Sequence, residues 1–492
     1  MANTKVIAVA IVAVLLVGAV VAVFATKNGK DSGSDVDLEL LSADVNPVLE
    51  VYGNVNEDLT IDEKDVELLE KALKDGTASN YKYADANFDG TVDEKDVQYI
   101  RDIIAATPEN PVVVKHLNRL TTGDYYAETK YPISAFAMSG SANIFMIMKY
   151  IGLKDEIKAI SYSGNIDSTL YSEYQYLFSD SSTKWDPSAK LTYRVGASAG
   201  YMGEELLANH IINDGITAII TADNAKQYLS GASSSHSYGI TEEKAESLGL
   251  DVIRVSSAVA DPSEYISNVA LVSFLTQKGS DVSGELTEWY AAVIKDMNKT
   301  LTGHVGKNVD AVNVAVTSSA SYSKSSDGTV TTYNYISSHD SDYTKAALAA
   351  GGLFSFSGYD FGDSSSSKKM TDLGKWLIDY DIDKLIHYKT GSKFSWYGGD
   401  ALTKGKSTLQ QGPLAFSDTE MYHNGEIYVV SGDMPVILRT IYTATILYPE
   451  LFSDDWALQY NIDHSKKFFG MSEDTVRNGV FKASMSDLGL TA

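Results

Sequence analysis

The sequence predicts a two-lobed α/β protein with parallel-type sheets joined by a single long helix, preceded by a small all-α module and an N-terminal transmembrane helix. Three observations lead to this prediction. Strand-like and helix-like segments alternate from Val112 onward, which indicates parallel sheets covered by helices. The candidates include helices over Ala142–Ile151 and Met370–Tyr380 and a strand over Asp251–Val255. An acid-rich pattern between Asn54 and Ile104 occurs twice at a constant offset of 31 residues. A run of 20 residues without a charge, from Val6 to Ala25, lies near the start of the chain.

The uncharged run is long enough to cross a membrane, because 20 helical residues at about 1.5 Å each match a hydrocarbon core of about 30 Å. A signal peptide usually has a shorter apolar region, but Val23-Phe-Ala25 is an acceptable cleavage site, so removal after Ala25 is the alternative. We therefore predict a signal anchor or signal peptide over 1–26 and a flexible tether over 27–45. Both alternatives export the body of the protein, either to the extracytoplasmic face of the cell membrane or as a secreted form.

Composition excludes several function classes. The 492 residues contain no cysteine, so disulfides and thiolate metal sites are impossible. The net charge of −25 argues against nucleic acid as a partner. The histidines are scattered, without His-Glu-x-x-His spacing, a Gly-x-Ser-x-Gly elbow or a phosphate loop. We therefore predict no catalytic residues and interpret the chain as a protein that is not an enzyme.

The repeated acidic pattern is that of a calcium-binding loop. Oxygen side chains at loop positions 1, 3, 5, 9 and 12, with a main-chain carbonyl at position 7, form a shell for a hard cation such as Ca²⁺. Gly90 at position 6 permits the sharp turn of the second loop. The first loop has Leu59 there and Asn54 where the second has Asp85, so we expect the first site to be the weaker. The predicted ligands are Asn54, Asn56, Asp58, Thr60, Asp62 and Asp65 in the first loop and Asp85, Asn87, Asp89, Thr91, Asp93 and Asp96 in the second.

Each loop runs into an amphipathic segment with helical spacing. The two loop-helix units, over 46–106, resemble a dockerin module. This resemblance implies two Ca²⁺ ions and a cohesin-domain protein as a partner. Dockerin recognition residues often occupy loop positions 10 and 11, which are Glu63-Lys64 and Glu94-Lys95 here. The alternative is a calcium-stiffened spacer without a cohesin partner.

The region after the Thr107–Pro111 linker carries a second set of motifs. They are Ile133–Asn143 with Met148–Leu153, Gly203–Ile220, Tyr422–Asp433, Ile446–Phe452 and Lys467–Gly470. Together they resemble the substrate-binding proteins of ABC importers for iron-siderophores, haem and cobalamin. The first cleft loop of that class commonly ends in "SATE", and here its last position is Asn143. The resemblance implies an N-lobe over 112–283, a connecting helix over 284–303 and a C-lobe over 304–492.

In this architecture the ligand lies between the lobes, at the carboxyl ends of strands. Aromatic and hydroxyl groups there suit a large ligand with a conjugated face, and the scarcity of arginines argues against a highly charged one. The candidate ligand-binding residues are Ser139, Ser141, Tyr162, Tyr201, Trp396 and Arg439. The resemblance also implies an acidic residue on each lobe that docks on the permease, for which the candidates are Glu204 or Glu205 and Asp372.

The sequence therefore favours a cell-surface substrate-binding protein that captures a metal chelate, such as an iron-siderophore or haem, or a cobalamin-type ligand, and delivers it to an ABC permease. The alternative is a calcium-dependent surface-assembly protein that binds a cohesin-type partner through its dockerin-like module.

Overall fold

The structure is a computed structural model. It describes residues 36–120, 123–139, 142–161, 211–222, 242–256, 259–324, 330–361, 367–370, 373–389, 423–432 and 434–490, together with positions 208, 406 and 409. The predicted transmembrane segment lies outside these ranges. Within them, no helix is both long enough and apolar enough to cross a membrane.

The calcium-loop module folds as two helices, α1 (Glu63–Lys74) and α2 (Glu94–Ile104), with a short 3₁₀ turn between them. Each helix begins with a capping box, in which an aspartate at the N-cap and an aspartate three residues later exchange hydrogen bonds with the backbone. The apolar faces of the two helices, which include Leu69 and Ile100, pack against each other. The module is therefore all-α, as the spacing predicts.

A two-stranded antiparallel hairpin, β1 (Val112–Asn118) and β2 (Tyr125–Tyr131), follows the module and is absent from the sequence prediction. At the end of β1, Asn118 Nδ2 donates to the carbonyl of Val252 at 2.8 Å, and Asn118 Oδ1 accepts from the backbone N–H of Arg254 at 2.9 Å. These bonds hold the hairpin beside the first large sheet.

The first sheet is parallel throughout and has the strand order β4-β3-β5-β6. Its central strand β5 is an unbroken buried run, as expected for a parallel sheet covered on both faces. Among the described residues, the elements of this lobe are β3 (Phe136–Ser139), α3 (Ala142–Ile151), β4 (Ile157–Ser161), β5 (Ala218–Ala222), α4 (Glu242–Ser247), β6 (Asp251–Val255) and α5 (Pro262–Thr276).

Helix α6 (Val282–His304) leads from the first sheet to the second and corresponds to the connecting helix predicted over 284–303. It is preceded by α5, which the Asp261 side chain caps and which ends at Gln277 in the left-handed conformation. One side of α6, including Leu286 and Leu301, is buried in a core shared by both lobes.

The second sheet is mixed, with the strand order β12-β11-β10-β7-β8-β9, so the expectation of parallel-type sheets holds only in part. Strand β10 pairs in parallel with β7 and β11, whereas β8, β9 and β12 are antiparallel to their neighbours. Only five residues separate β7 from β8, too few for the crossover that parallel strands require. The strands are β7 (Val314–Lys324), β8 (Val330–Ser337), β9 (Ser367–Met370), β10 (Lys384–Lys389), β11 (Ile427–Ser431) and β12 (Lys482–Ser484).

The described part of the second lobe also contains five helices: α7 (Asp342–Ala349), α8 (Leu373–Asp379), α9 (Val436–Leu447), α10 (Asp454–Phe469) and α11 (Glu473–Arg477). Helix α10 returns to the first lobe, where the Tyr150 hydroxyl lies 2.7 Å from His464 Nε2. The calcium module is also packed on the body, because Ile103 of α2 and Val114 of β1 belong to the same core as α6. Module, hairpin and lobes thus share one apolar core.

Candidate functional site

The second calcium loop has the inward-folded side chains that a cation site requires. Asp85 Oδ2 accepts a hydrogen bond from the Gly90 backbone N–H at 3.0 Å. The Asp96 carboxylate accepts from the backbone N–H groups of Asn87 and Asp93 at 3.1 and 2.8 Å. The side chains at loop positions 1 and 12 are thereby both tied to the backbone of the same loop.

The first loop reaches a similar arrangement with an amide. The Asn54 side chain donates to two backbone carbonyls, at 2.7 and 2.8 Å, one of which belongs to Asp58. The Asp65 carboxylate accepts from the backbone N–H groups of Asn56 and Asp62 at 3.1 and 2.9 Å. Both Nδ2 protons of Asn54 are used in these bonds, so Oδ1 is the side-chain atom of Asn54 that is left to accept a ligand.

The position-1 oxygens test whether the loops fit a cation. Asn54 Oδ1 and Asp85 Oδ1 are both buried, and neither has a hydrogen-bond partner in the described part of the chain. Asp65 and Asp96 are fully buried, and burial raises the pKa of both carboxyls, to about 6 for Asp65. A divalent cation would satisfy the orphan oxygens and offset the cost of burying carboxylates, so these residues fit Ca²⁺.

Acids alone do not complete the shell. No group of three or more His, Asp or Glu side chains within the described ranges forms a ready metal site. The amide oxygens at position 3 of both loops and at position 1 of the first loop, and the main-chain carbonyl at position 7, are therefore needed as well.

The two loops differ at position 6. Gly90 has a φ of +83°, in the region that only glycine adopts easily, while Leu59 is not among the positive-φ residues of the described chain. Position 4 is left-handed in both loops, with Glu57 at +56° and Phe88 at +62°. The first loop therefore turns differently at its centre. It also supplies one carboxylate fewer, because Asn54 replaces Asp85, so the geometry agrees with a weaker first site.

The predicted cohesin-recognition residues Glu63, Lys64, Glu94 and Lys95 are all exposed at the starts of α1 and α2. Both lysines also contact loop acids. Lys64 Nζ lies 3.2 Å from Asp62, and Lys95 Nζ lies 3.5 Å from Asp93. Their role in recognition stays a prediction.

The carboxyl ends of the two sheets meet at a small apolar contact. Ala260, five residues after β6, packs with Ala346 of α7 and with Val436, five residues after β11. A cavity of about 600 Å³ opens beside this contact and is lined by residues of both lobes, among them Pro262 and Lys345. The fold thus brings the lobes together at the place where this architecture binds ligands.

Arg439 lies one turn along α9 from Val436 and is only 1% exposed. The centre of its guanidinium is 5.1 Å from the centroid of the Tyr343 ring. Its Nε and Nη2 atoms have no hydrogen-bond partner among the described residues. Burial raises the pKa of Tyr388 to about 12, and a hydrogen bond to Thr443 and the charge of Arg439 act against this rise.

The charge of Arg439 also affects the pKa of two tyrosines on the N-lobe side. Burial raises the pKa of Tyr265 on α5 and of Tyr290 on α6, and the positive charge of Arg439 lowers both in part. The guanidinium therefore contacts the ring of Tyr343, and its charge acts on tyrosines of both lobes and of the connecting helix. It has no carboxylate partner in the described part of the chain.

The other predicted cleft residues lie outside the described residues or have undescribed side chains. Ser139 ends β3, but its side chain is not described. The remaining ones are Ser141, Tyr162, Tyr201 and Trp396 for the ligand and Glu204, Glu205 and Asp372 for the permease. Of the ligand-binding candidates, Arg439 alone has a side chain within the described part of the structure.

One buried polar residue was missed by the sequence interpretation. His387 of β10 is 4% exposed, and its Nδ1 lies 2.8 Å from Thr317 Oγ1, while Nε2 has no partner in the described part of the chain. Burial, together with the charge of Lys389, lowers the pKa of His387 to about 3, so the imidazole is neutral at physiological pH. The available signal was a histidine inside the otherwise apolar centre of the strand KLIHYK.

Comparisons with known proteins agree with the division into module and body. Residues 52–104 match the family model of the dockerin type I domain. No curated protein matches the chain.

Among solved structures, the TroA-like periplasmic binding protein FepB from Veillonella parvula has 12% identity and a TM-score of 0.51, covering 75% of this chain and 99% of that one. A periplasmic solute binding protein from Veillonella parvula has 10% identity and a TM-score of 0.47, with 74% and 96% covered. An ABC transporter solute binding protein from Sulfurospirillum deleyianum has 13% identity and a TM-score of 0.46, with 71% and 95% covered. The body is thus similar to TroA-like periplasmic binding proteins. The FepB likeness establishes the α/β fold of this class and, at 12% identity, not the ligand.

Proposed function

We propose that this chain is an extracytoplasmic substrate-binding protein, which captures a ligand between its lobes and delivers it to an ABC permease. One observation carries the proposal: a fully buried guanidinium without a charge partner among the described residues, at the junction where the carboxyl ends of both sheets meet. The likeness to a TroA-like periplasmic binding protein supports the same class.

The argument from Arg439 is energetic. Removing a charged group from water costs several kcal/mol unless paired hydrogen-bond acceptors replace the lost hydration. A ligand that brings carboxylate, phosphate or chelate oxygens would supply those acceptors, and a guanidinium can bind them in a bidentate manner. An arginine kept in this state is therefore a recognition group for a ligand with anionic oxygens.

The ligand class follows from the aromatic surroundings. Tyr343 and Tyr388 stack with ring centroids 5.2 Å apart beside Arg439. Aromatic faces hold a conjugated macrocycle without needing further charge. We propose haem, an iron-siderophore or a cobalamin-type molecule, gripped by Arg439 together with Ser139, Ser141 and Tyr162 or Tyr201 from the N-lobe side and Trp396 from the C-lobe. Glu204 or Glu205 and Asp372 would dock the lobes on the permease.

The test is a ligand panel with two variants. Haem, ferric siderophores and cobalamin are titrated into the protein while tryptophan fluorescence and the thermal unfolding temperature are followed. Trp396→Ala is expected to weaken binding and to leave the fold intact, whereas Asp372→Lys is expected to leave binding unchanged and to impair uptake in cells. A panel without quenching or thermal shift would contradict the importer proposal.

A second function is favoured by the dockerin type I match over 52–104. In this proposal the module binds Ca²⁺ and a cohesin-type partner through the exposed dipeptides Glu63-Lys64 and Glu94-Lys95. Charge reversal of both lysines, at Lys64 and Lys95, should abolish capture of a purified cohesin domain in calcium while leaving calcium binding in place. A spacer role predicts no capture by the unaltered protein.

A further inference from the structure

The segment that joins the N-terminus to the calcium module runs across the body as an extended strap, residues 36–48. Its residues alternate between packed and exposed positions from Val36 to Leu40, and again from Leu41 to Pro47. Leu38, Leu40 and Leu41 pack against the shared core. Residues 36–45, which composition predicts as part of a flexible tether, are therefore held along the body by a two-residue periodicity.

The start of the strap touches the C-lobe side. Gly306, just after α6, has a φ of +76°, and a Cβ built there would lie 2.5 Å from Val36 Cγ2, so the strap approaches the backbone closely. Glu39 Oε2 lies 2.8 Å from Nε2 of His339, whose ring packs edge-on against Phe354 at 5.3 Å. The Glu39–His339 pair is solvent-exposed and contributes little by itself, so the apolar contacts hold this end.

The middle and end of the strap touch the connecting helix and the N-lobe. Asn298 Nδ2 of α6 donates to the Leu41 carbonyl at 2.8 Å. The backbone N–H of Asn46 donates to Ser263 Oγ of α5 at 3.0 Å, and that of Val48 donates to Ser267 Oγ at 2.9 Å. The strap is thus anchored to both lobes and to the helix between them.

The strap also closes the cavity at the lobe junction. Residues 39–42 and Asp44 form one wall, and Ala260, Pro262, Lys345 and Leu348 from the two lobes form part of the rest. The strap contains a local turn, in which the Leu40 backbone N–H donates to the Leu38 carbonyl at 3.0 Å, and a bend at Ala43, so it is not stretched to its full length. Any separation of the lobes at this edge must therefore straighten these turns or detach one of the anchors of the strap.

We propose that the strap is a cross-lobe clasp, which limits lobe opening and slows ligand release from the cleft. The effect on release rests on the proposed binding function, while the restriction of lobe opening does not. Since the strap continues directly into the calcium module, the clasp also fixes the module to the side of the cleft.

The absence of cysteine allows a direct measurement on the full chain. Two spin labels are attached through Glu246→Cys on α4 and Ile378→Cys on α8, which are both exposed. Pulsed electron resonance then gives the distance distribution between the lobes without ligand. The strap is released by the double substitution Leu38→Ser and Leu40→Ser.

Strap release is expected to broaden the distribution and to increase the mean distance. The control, Asp37→Ser, changes an exposed strap position that does not line the cavity and should leave the distribution as in the parent. Asn298→Ala removes only the central anchor and should broaden the distance distribution to a smaller extent. This variant replaces the double variant if the latter does not fold. Identical distributions for the parent and the strap-release variant would overturn the proposal.

The rate of ligand release is measured separately, with haem as the probe. Faster haem release from the strap-release variant than from the control supports the full proposal. If the labels move apart and the parent binds no haem, siderophore or cobalamin, the clasp stands and the proposed importer function fails. If the labels move apart while haem release is unchanged, the role in ligand release is wrong.

Discussion

Replacing Arg439 by methionine is expected to stabilise the ligand-free protein and to weaken ligand binding. Its Nε and Nη2 are buried without partners in the described chain, so the substitution removes a desolvation penalty and leaves no carboxylate unpaired there. Exchanging buried charged groups for apolar ones of similar volume is neutral or stabilising by about 1–4 kcal/mol, and we expect a gain in that range. Losing a buried charged contact to the ligand costs about 2–5 kcal/mol, which corresponds to an increase in Kd of about 30- to 4000-fold.

The assay for Arg439→Met pairs urea denaturation of the ligand-free protein in calcium with titration of the ligand that gives the strongest response in the panel. Arg477→Met is the control, because Arg477 is half-exposed and pairs with Glu473 one turn away, a contact worth about 0.3–0.5 kcal/mol. A variant at Arg439 that loses stability and keeps its ligand affinity would refute the reasoning, since Arg439 would then act only in the fold.

Two further predictions concern the calcium module and acid stability. Calorimetry should detect two Ca²⁺ ions, and Asp85→Ala should cost more calcium affinity than Asn54→Ala, because the second loop has the extra carboxylate and the glycine turn; equal losses would contradict the proposed asymmetry. Burial lowers the pKa of His116 to about 4, below its unfolded value of about 6.5, so the unfolded chain binds more protons between these values and stability must fall as pH is lowered through this window. The contribution is up to about 3 kcal/mol at about 1.36 kcal/mol per pKa unit, and urea titrations at pH 7 and pH 5 should show a smaller acid loss for His116→Gln than for the parent. Identical acid losses would mean that His116 is not the titrating group.

The sequence predicts the elements whose apolar pattern is unambiguous. Strand β6 has the predicted bounds, Asp251–Val255, and helix α3 has the predicted bounds, Ala142–Ile151. The connecting helix α6, predicted over 284–303, begins two residues earlier and ends one residue later, at Val282 and His304. In each of these segments the apolar pattern of the sequence favours the same structure that the fold requires there, so the prediction succeeds.

Other elements depend on pairings that no local pattern records. The β1–β2 hairpin is fixed by bonds from Asn118 to β6, a strand more than 130 residues away. The predicted helix start at Met370 is wrong because Met370 pairs with Asn334 at the end of β9, and α8 begins only at Leu373. The strap escaped prediction because its alternation slips between Leu40 and Leu41, so composition suggested a linker.

The candidate site divides in the same way. Calcium ligands follow a fixed spacing within one loop, so each can be assigned from sequence. A ligand cleft is assembled from loops far apart in the chain. Such loops provide binding specificity, but they have no hydrophobic periodicity from which their residues could be assigned. Arg439 could be nominated by its place after β11, but its burial without a partner is visible only in the fold.

The central claim is that the lobes hold a small molecule that carries anionic oxygens. Native mass spectrometry of the secreted or detergent-released protein, purified without added ligand, tests it most directly. The account predicts a bound species with the mass of a metal chelate, haem or corrinoid, in addition to two calcium ions, and its loss in Arg439→Met. A protein that carries calcium alone, and that takes up none of these molecules when they are supplied, would contradict the account.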